Sequence, residues 1–383
     1  MKPGPAPLAA TGGFAVAHAG AGHWGAAAKA CLEGIGPAAA DANLGILYVT
    51  EPLADDIASV LTFLRETTRI PHWVGAAAPG ILADDVEYRD QSAVTVMVGR
   101  LPPDSFRRFA GLDAASIRKD AAGWLAGRPA GLALVHGDPR NPAVVPVVAE
   151  LAADCRAVAG GLVAASGPPS QIADSLVSGG LSGLLLGPEV AAITGLTQGC
   201  RPIGPVHRVT ECWQGVLMAV DGRPALEVLK DEAGELIARD LGRAAGYIHL
   251  ALPAEGGDPH DYQVRSLVGI DPRQGWLAVG QHLEVGQQVM FVRRDANSAR
   301  ADLARMLLDV RHRLAGRRPL AALYVACVAR GRHMFGSDGA EATLVRNALD
   351  GVPLVGYFAN GEIAGGRLYQ YTGVLAVIVG EGP

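Results

Sequence analysis

Residues 319–380 read PLAALYVACVARGRHMFGSDGAEATLVRNALDGVPLVGYFANGEIAGGRLYQYTGVLAVIVG, and their order of elements decides the fold. The apolar run Ala321–Ala329 is stopped by Arg330 and Gly331. HMFGSDG reads as a loop, EATLVRNALDG as a short helix ending on Gly351, and VPLVGYF as a second strand. NGEIAGG is a corner and GVLAVIVG a closing strand. Short continuous apolar runs bounded by glycine and turn residues are the mark of buried strands. The polar residues stand at the strand ends, so Arg330, Asn360 and Glu362 are expected to gather at one edge of a sheet.

Working outward, the same order recurs upstream. LGILYVT (Leu44–Thr50) is followed by a helical pattern with Leu53, Ile57, Val60, Leu61 and Leu64 on one face, then HWVGAAA, a turn at Pro79–Gly80, and AVTVMVG (Ala93–Gly99). From Gly131 onward come GLALVHG, a helix over Ala143–Cys155, the glycine-cornered AVAGGLVAASG, and LSGLLLG. Strand, helix, strand, glycine corner and strand, repeated with different residues, point to an internally repetitive sheet architecture. Between the second and third copies the chain turns β-rich (YIHLAL, YQVRSLVGI, WLAVG, QQVMFVRR), and Ala299–Leu314 carries a clear helical face. The border between halves is expected near Gly195–Pro224. The fold class expected is α/β: two related halves of mixed or antiparallel sheets packed face to face with helices outside, in αββα-type layers.

A chain of 383 residues with a formal charge of −5 and mixed signs has room for a large core and no basic stripe, which argues against nucleic acid as a partner. Five scattered cysteines without a CxxC pair fit a reducing cytoplasm better than a zinc site or a secreted disulfide scaffold. No apolar run approaches a bilayer span, so membrane insertion is not expected. Gly20-Ala21-Gly22-His23-Trp24-Gly25 has dinucleotide-loop spacing, with Glu51 after the next strand. His23 and Trp24, however, would crowd the helix start where a pyrophosphate must approach. No GxSxG elbow is present. Cys327 lies in an apolar run, which suits a buried thiol, whereas Cys200 sits in TQGCRPIGP beside Arg201 and close to His207 and Arg208. Neighbouring cations activate a thiol, so Cys200 is either a reactive or ligand-contacting cysteine or a loop residue without a role. No histidine pair has metal-ligand spacing, but one histidine suffices for haem iron, and His207 and His333 are the candidates.

QGCRPIGP (Gln198–Pro205), then Val209–Thr210 and DG-PALEVL (Asp221–Leu229), resemble the FIST family of intracellular signal-transduction sensory proteins. ACVARG (Ala326–Gly331), Phe335–Gly336, VPLVGYFANGEI (Val352–Ile363) and the final YTGVLAVI are similar to the signature of its C-terminal domain. WVGAAAPGI (Trp73–Ile81) and AGGLVAASG match its N-terminal domain more loosely, and Ala364 stands where the family pattern has glycine. The Pro-rich start reads as a loose tail over 1–12, and the resemblance implies a FIST N-terminal domain over 13–210 and a FIST C-terminal domain over 211–383. It implies a cytoplasmic sensor without catalysis that binds an amino acid or similar metabolite and passes its state to a partner such as a histidine kinase or cyclase. Cys200, Arg201, Cys327, Arg330, Asn360 and Glu362 are the expected ligand contacts, with Arg330 for a carboxylate and Asn360 or Glu362 for an amine; the alternative is that Arg330, Glu362 and Arg367 form a structural ion-pair network at a sheet end. A haem-binding nitric oxide or redox sensor, and a hydrolase of N-terminal-nucleophile-like geometry, are the alternatives.

Overall fold

A computed structural model describes residues 13–164, 171–234, 246–253 and 261–380. The tail expected over 1–12 lies outside the described residues. Contacts group the chain into two compact units, one of residues 1–196, 304–368 and 372–383, the other of 197–303 with 369–371. This division follows the β-rich insertion and differs from the 13–210 and 211–383 division expected from the sequence.

The first copy runs β1 (Phe14–Gly20), α1 (Trp24–Ile35), β2 (Leu44–Thr50), α2 (Ile57–Thr68), β3 (His72–Ala78), the hairpin β4 (Gly80–Ala83) and β5 (Val86–Arg89), and β6 (Ala93–Gly99). The second copy runs β7 (Phe106–Gly111), α3 (Ala114–Leu125), β8 (Leu132–Gly137), α4 (Val144–Ala152), β9 (Val158–Leu162), the hairpin β10 (Gln171–Ala173) and β11 (Ser175–Val177), and β12 (Leu181–Leu186). The third opens with β13 (Ala192–Thr197) and is interrupted by β14 (Cys200–Pro202), β15 (His207–Trp213), β16 (Val216–Val220), β17 (Arg223–Pro224), α5 (Ala225–Ala233), β18 (Ile248–Pro253), β19 (Tyr262–Asp271), β20 (Trp276–Val279) and β21 (Gln288–Arg294). It resumes with α6 (Ala296–Leu314), β22 (Pro319–Cys327), α7 (Arg332–Phe335), α8 (Ala340–Ala348), β23 (Leu354–Ala359), the hairpin β24 (Glu362–Ala364) and β25 (Arg367–Tyr369), and β26 (Gly373–Val379).

Each copy builds the same mixed sheet: β1-β6-β2-β3, β7-β12-β8-β9 and β13-β26-β22-β23. The inner pair is parallel in all three, β2 with β3, β8 with β9 and β22 with β23. The hairpins are exchanged in a ring. The first copy's hairpin extends the third sheet, the second's extends the first, and the third's extends the second. The register confirms the equivalence. Gly75, Gly160 and Gly356 stand opposite Leu47, Val135 and Tyr324, and at each a methyl group would collide with that residue's carbonyl oxygen. Only glycine lets the two backbones lie that close.

Tyr48, Leu134, Val325, Tyr357 and Leu184 point into one apolar core shared by the three sheets. On the outer faces lie the helices: Ile57, Val60, Leu61 and Leu64 of α2 bury against the first sheet, and Val144, Val147, Val148 and Leu151 of α4 against the second. Alternate residues of each central strand therefore feed two different apolar clusters, which is why these strands read as unbroken apolar runs rather than as alternating ones. The fold is thus layered α/β, with mixed sheets facing a common core and helices outside.

The inserted unit is antiparallel. Strands β21-β15-β16-β20-β19-β18 follow one another by hydrogen bonding, and β18 pairs back onto β21, closing a ring. Leu217, Leu250, Leu267, Leu277 and Phe291 form its apolar interior with Ala225, Leu226, Val228 and Leu229 of α5. Pro224 precedes α5, where a missing N–H costs nothing. No helix among the described residues is long and apolar enough to cross a membrane.

Candidate functional site

Glu362 opens β24 and faces Gly161 of β9, so hairpin exchange carries this acid into the second sheet. It is 0% exposed. Its Oε2 accepts from the Thr372 backbone N–H at 3.1 Å and from the Thr372 hydroxyl at 2.8 Å, and Oε1 accepts from the Gly361 N–H at 3.3 Å. The Cys327 thiol bonds the same carboxyl. Gly361 makes the approach feasible: its φ is 143°, and a Cβ there would lie 2.8 Å from Leu162. Burial pushes the Glu362 carboxyl up, and the Thr372, Cys327 and Gly361 bonds pull it partly back, leaving it at about 7. No basic side chain pairs with it among the described residues.

Arg330, also at the end of β22, has the opposite environment. It is 1% exposed, its Nε donates to Glu341 Oε1 at 2.7 Å, and a terminal nitrogen lies 2.6 Å from the same oxygen. The Tyr324 hydroxyl donates to that oxygen at 2.5 Å. Burial works against the guanidinium charge, and the Glu341 carboxylate outweighs it and raises the pKa. The expectation that Arg330 holds a ligand carboxylate meets a fork already matched to a protein carboxylate. Its buried pair fixes α8 against β22.

Asn360 is exposed beside Gly361, and His333 is exposed on the four-residue helix α7. Cys327 and Glu362 meet, as described; Cys200, Arg201 and His207 belong to the inserted unit. Cys200 is not an exposed turn thiol: it opens β14 and packs with Ala251, Tyr262, Val264, Met290 and Val292, because the turn pairs with β21. Arg201 pairs with Asp295 at 3.1 Å. His207 is clamped, Nδ1 at 2.7 Å from Asp221 and Nε2 at 2.6 Å from Glu232. Burial opposes its charge, and the two carboxylates outweigh that and raise its pKa. With both ring nitrogens engaged, His207 does not fit a haem ligand, and exposed His333 does not offer the enclosed site a macrocycle needs. Among the described residues no group of three or more His, Cys, Asp or Glu is placed to hold a metal ion.

Sequence reasoning passed over a polar cluster in the common core. Tyr48 of β2 and Nε2 of His136 of β8 share a hydrogen bond of 2.8 Å, and the Tyr48 and Tyr357 rings lie 4.9 Å apart. Tyr357 donates to the Gly161 carbonyl at 3.0 Å, one strand from Glu362. Burial holds His136 neutral, lowering it to about 3. The available signal was the copy alignment: Tyr48 and His136 occupy the same register, each one residue beyond the position that faces the close-approach glycine, Gly75 or Gly160. The loop at Gly20–Gly25 is likewise settled locally, because His23 Nδ1 accepts from the Gly25 N–H and so caps α1 itself.

Fold and site together define a threefold-repeated α/β protein with an inserted β-unit and a buried, unpaired acid. The FIST N domain matches residues 43–223 and the FIST C domain residues 225–365. The chain belongs to the FIST family, whose domains are associated with signal-transduction sensing. It is 30% identical over 362 residues to an uncharacterized protein of Mycobacterium tuberculosis, covering 88% of this chain and 91% of that one. An uncharacterized protein of Mycobacterium bovis is 30% identical over 361 residues, with the same two coverages of 88% and 91%.

Proposed function

We propose that this protein is a cytoplasmic sensor that binds an amine-bearing small molecule, an amino acid or similar metabolite, and relays its occupancy to a signalling partner such as a histidine kinase or cyclase. The observation that carries the reading is Glu362: a wholly buried carboxyl with hydrogen-bond donors but no cation. A buried charge is costly unless paired, and an ammonium group supplies the missing partner. Cys327 and Thr372 orient the carboxyl, and Asn360 stands exposed two residues away for the ligand's remaining polar groups. Arg330 serves as a wall of the site through its pair with Glu341. Five cysteines, none in a disulfide, suit a reducing compartment.

The test is a thermal-shift screen at pH 8 of amino acids and simple amines against the full chain and its Glu362→Gln variant. A ligand of the native state raises its apparent stability. The expected result is stabilisation of the wild type by an amine that leaves Glu362→Gln unmoved. Equal shifts in both proteins, or amines that perform no better than matched neutral compounds, would sink the reading.

A further inference from the structure

Copies 1 and 2 differ in what fills the space between their helices and their sheet. In copy 1, Trp73 and Ile70 are buried to within 1% there. The indole lies across Gly45 and donates to the Ile70 carbonyl at 3.0 Å. Strand register puts Val158 of copy 2 at the position of Trp73, since Trp73 faces Gly45 and Val158 faces Ala133 in the corresponding parallel pairs. Cys155 then takes the place of Ile70. In copy 2 the smaller residues accompany a cavity of about 550 Å³ between α3, α4 and the second sheet, lined on the sheet side by Leu185 and by Cys155, the counterpart of Ile70. That lies within the range of about 300–1,000 Å³ common to small-molecule sites.

The lining is aliphatic, from Ile117, Ala121, Leu125, Leu151 and Leu185, and Arg128 stands at the wall. The two arginines there are not alike. Arg118 is committed to Asp154 and to the Glu150 carbonyl. Arg128 is exposed, bonds only the Leu125 carbonyl at a long 3.5 Å, and has no carboxylate partner among the described residues. An apolar chamber with one uncommitted guanidinium matches an amphipathic anion, and the planar fork matches a carboxylate. Asp154 beside it disfavours a doubly charged head group.

We propose that this cavity binds a small aliphatic monocarboxylate, its hydrocarbon body between α3 and α4 and its carboxylate on Arg128. The site is separate from Glu362 and does not depend on the amine reading. Titration calorimetry of the full chain with octanoate, octylamine and octanol decides it. Octanoate is expected to bind the wild type, octylamine not to bind, and octanol to bind more weakly than octanoate. Arg128→Ala weakens octanoate about tenfold, the loss of one charge-assisted contact. Ala121→Phe, which fills the cavity, abolishes binding, while Glu362→Gln leaves octanoate binding unchanged. Octanoate that fails to bind the wild type, binds Arg128→Ala as tightly, or is matched by octylamine overturns the proposal. Should Ala121→Phe fail to fold, the exposed Arg128 position still gives the answer.

Discussion

Gln171 and Glu362 occupy the same place in two copies of one module, each opening an exchanged hairpin and facing equivalent residues, Ala76 and Gly161. Both are buried, at 1% and 0% exposed. The amide donates, its Nε2 reaching the carbonyls of His136 at 2.7 Å and Gly180 at 3.2 Å. The acid accepts, from Thr372 and Gly361. In copy 1 the position is Ile81, wholly apolar. The module therefore folds with an alkyl group, an amide or an acid at this point. Architecture does not demand the acid, and burying it carries a cost that the alkyl group of copy 1 avoids.

The strongest way to break the comparison is to exchange the two chemistries. Gln171→Glu aims a carboxylate at two carbonyl oxygens, removing both donated bonds and leaving a buried charge unpaired. We expect a loss of about 3–5 kcal/mol at pH 8, and a smaller one at pH 5, where the protonated acid can donate one bond again. Urea denaturation at the two pH values measures both. A variant as stable as the wild type at pH 8 would show that the copies' polar settings are interchangeable.

Glu362→Gln tests the other side. The folded-state pKa of about 7 stands above the ordinary 4.5, so the group's stabilising contribution is full below about 4.5 and is lost as pH rises through 7. At about 1.4 kcal/mol per unit, the wild type gives up about 3 kcal/mol across that window. The variant lacks that slope and at pH 8 is at least as stable as the wild type. His207, with its raised pKa, adds a slope of the same sign, so the difference between the two proteins isolates Glu362. Parallel stability–pH curves would remove the unpaired acid from the argument.

Much of this frame was legible in the sequence, for a physical reason. Strands buried on both faces must be apolar throughout, so Leu44–Thr50, Leu132–Gly137 and Gly373–Val379 declare themselves and their repeating order. The hairpin exchange was not legible. Gln171–Ala173 and Glu362–Ala364 are three residues each, and their partners lie a whole copy away, chosen by tertiary packing rather than local preference. The site residues divided along the same line. Glu362 drew notice as a polar residue at a strand end, whereas its complete burial was not readable from the sequence. That the buried partner of Arg330 is Glu341 stayed hidden, because Glu341 sits on a helix whose docking face the sequence does not reveal.

The smallest expected effect bears on the exchange itself. Asp84, Asp174 and Gly365 turn the three hairpins with positive φ of 51°, 61° and 56°. Their backbone N–H groups donate to equivalent carbonyls, of Leu354 at 2.9 Å, Trp73 at 2.8 Å and Val158 at 2.9 Å. The two aspartates also accept from the backbone N–H of Leu354 at 3.3 Å and Trp73 at 2.9 Å, a bond glycine cannot make. A Cβ at Gly365 meets nothing within 4 Å. Aspartate tolerates the left-handed region better than most residues and narrows the unfolded ensemble, which offsets its strain. Gly365→Asp is therefore expected to fall within about 0.5 kcal/mol of the wild type, whereas Gly365→Val, branched and without an acceptor, loses about 1–2 kcal/mol. Chemical denaturation of both variants separates them. If aspartate costs as much as valine, the third hairpin does not share the turn of the other two, and the threefold equivalence stops at the strands.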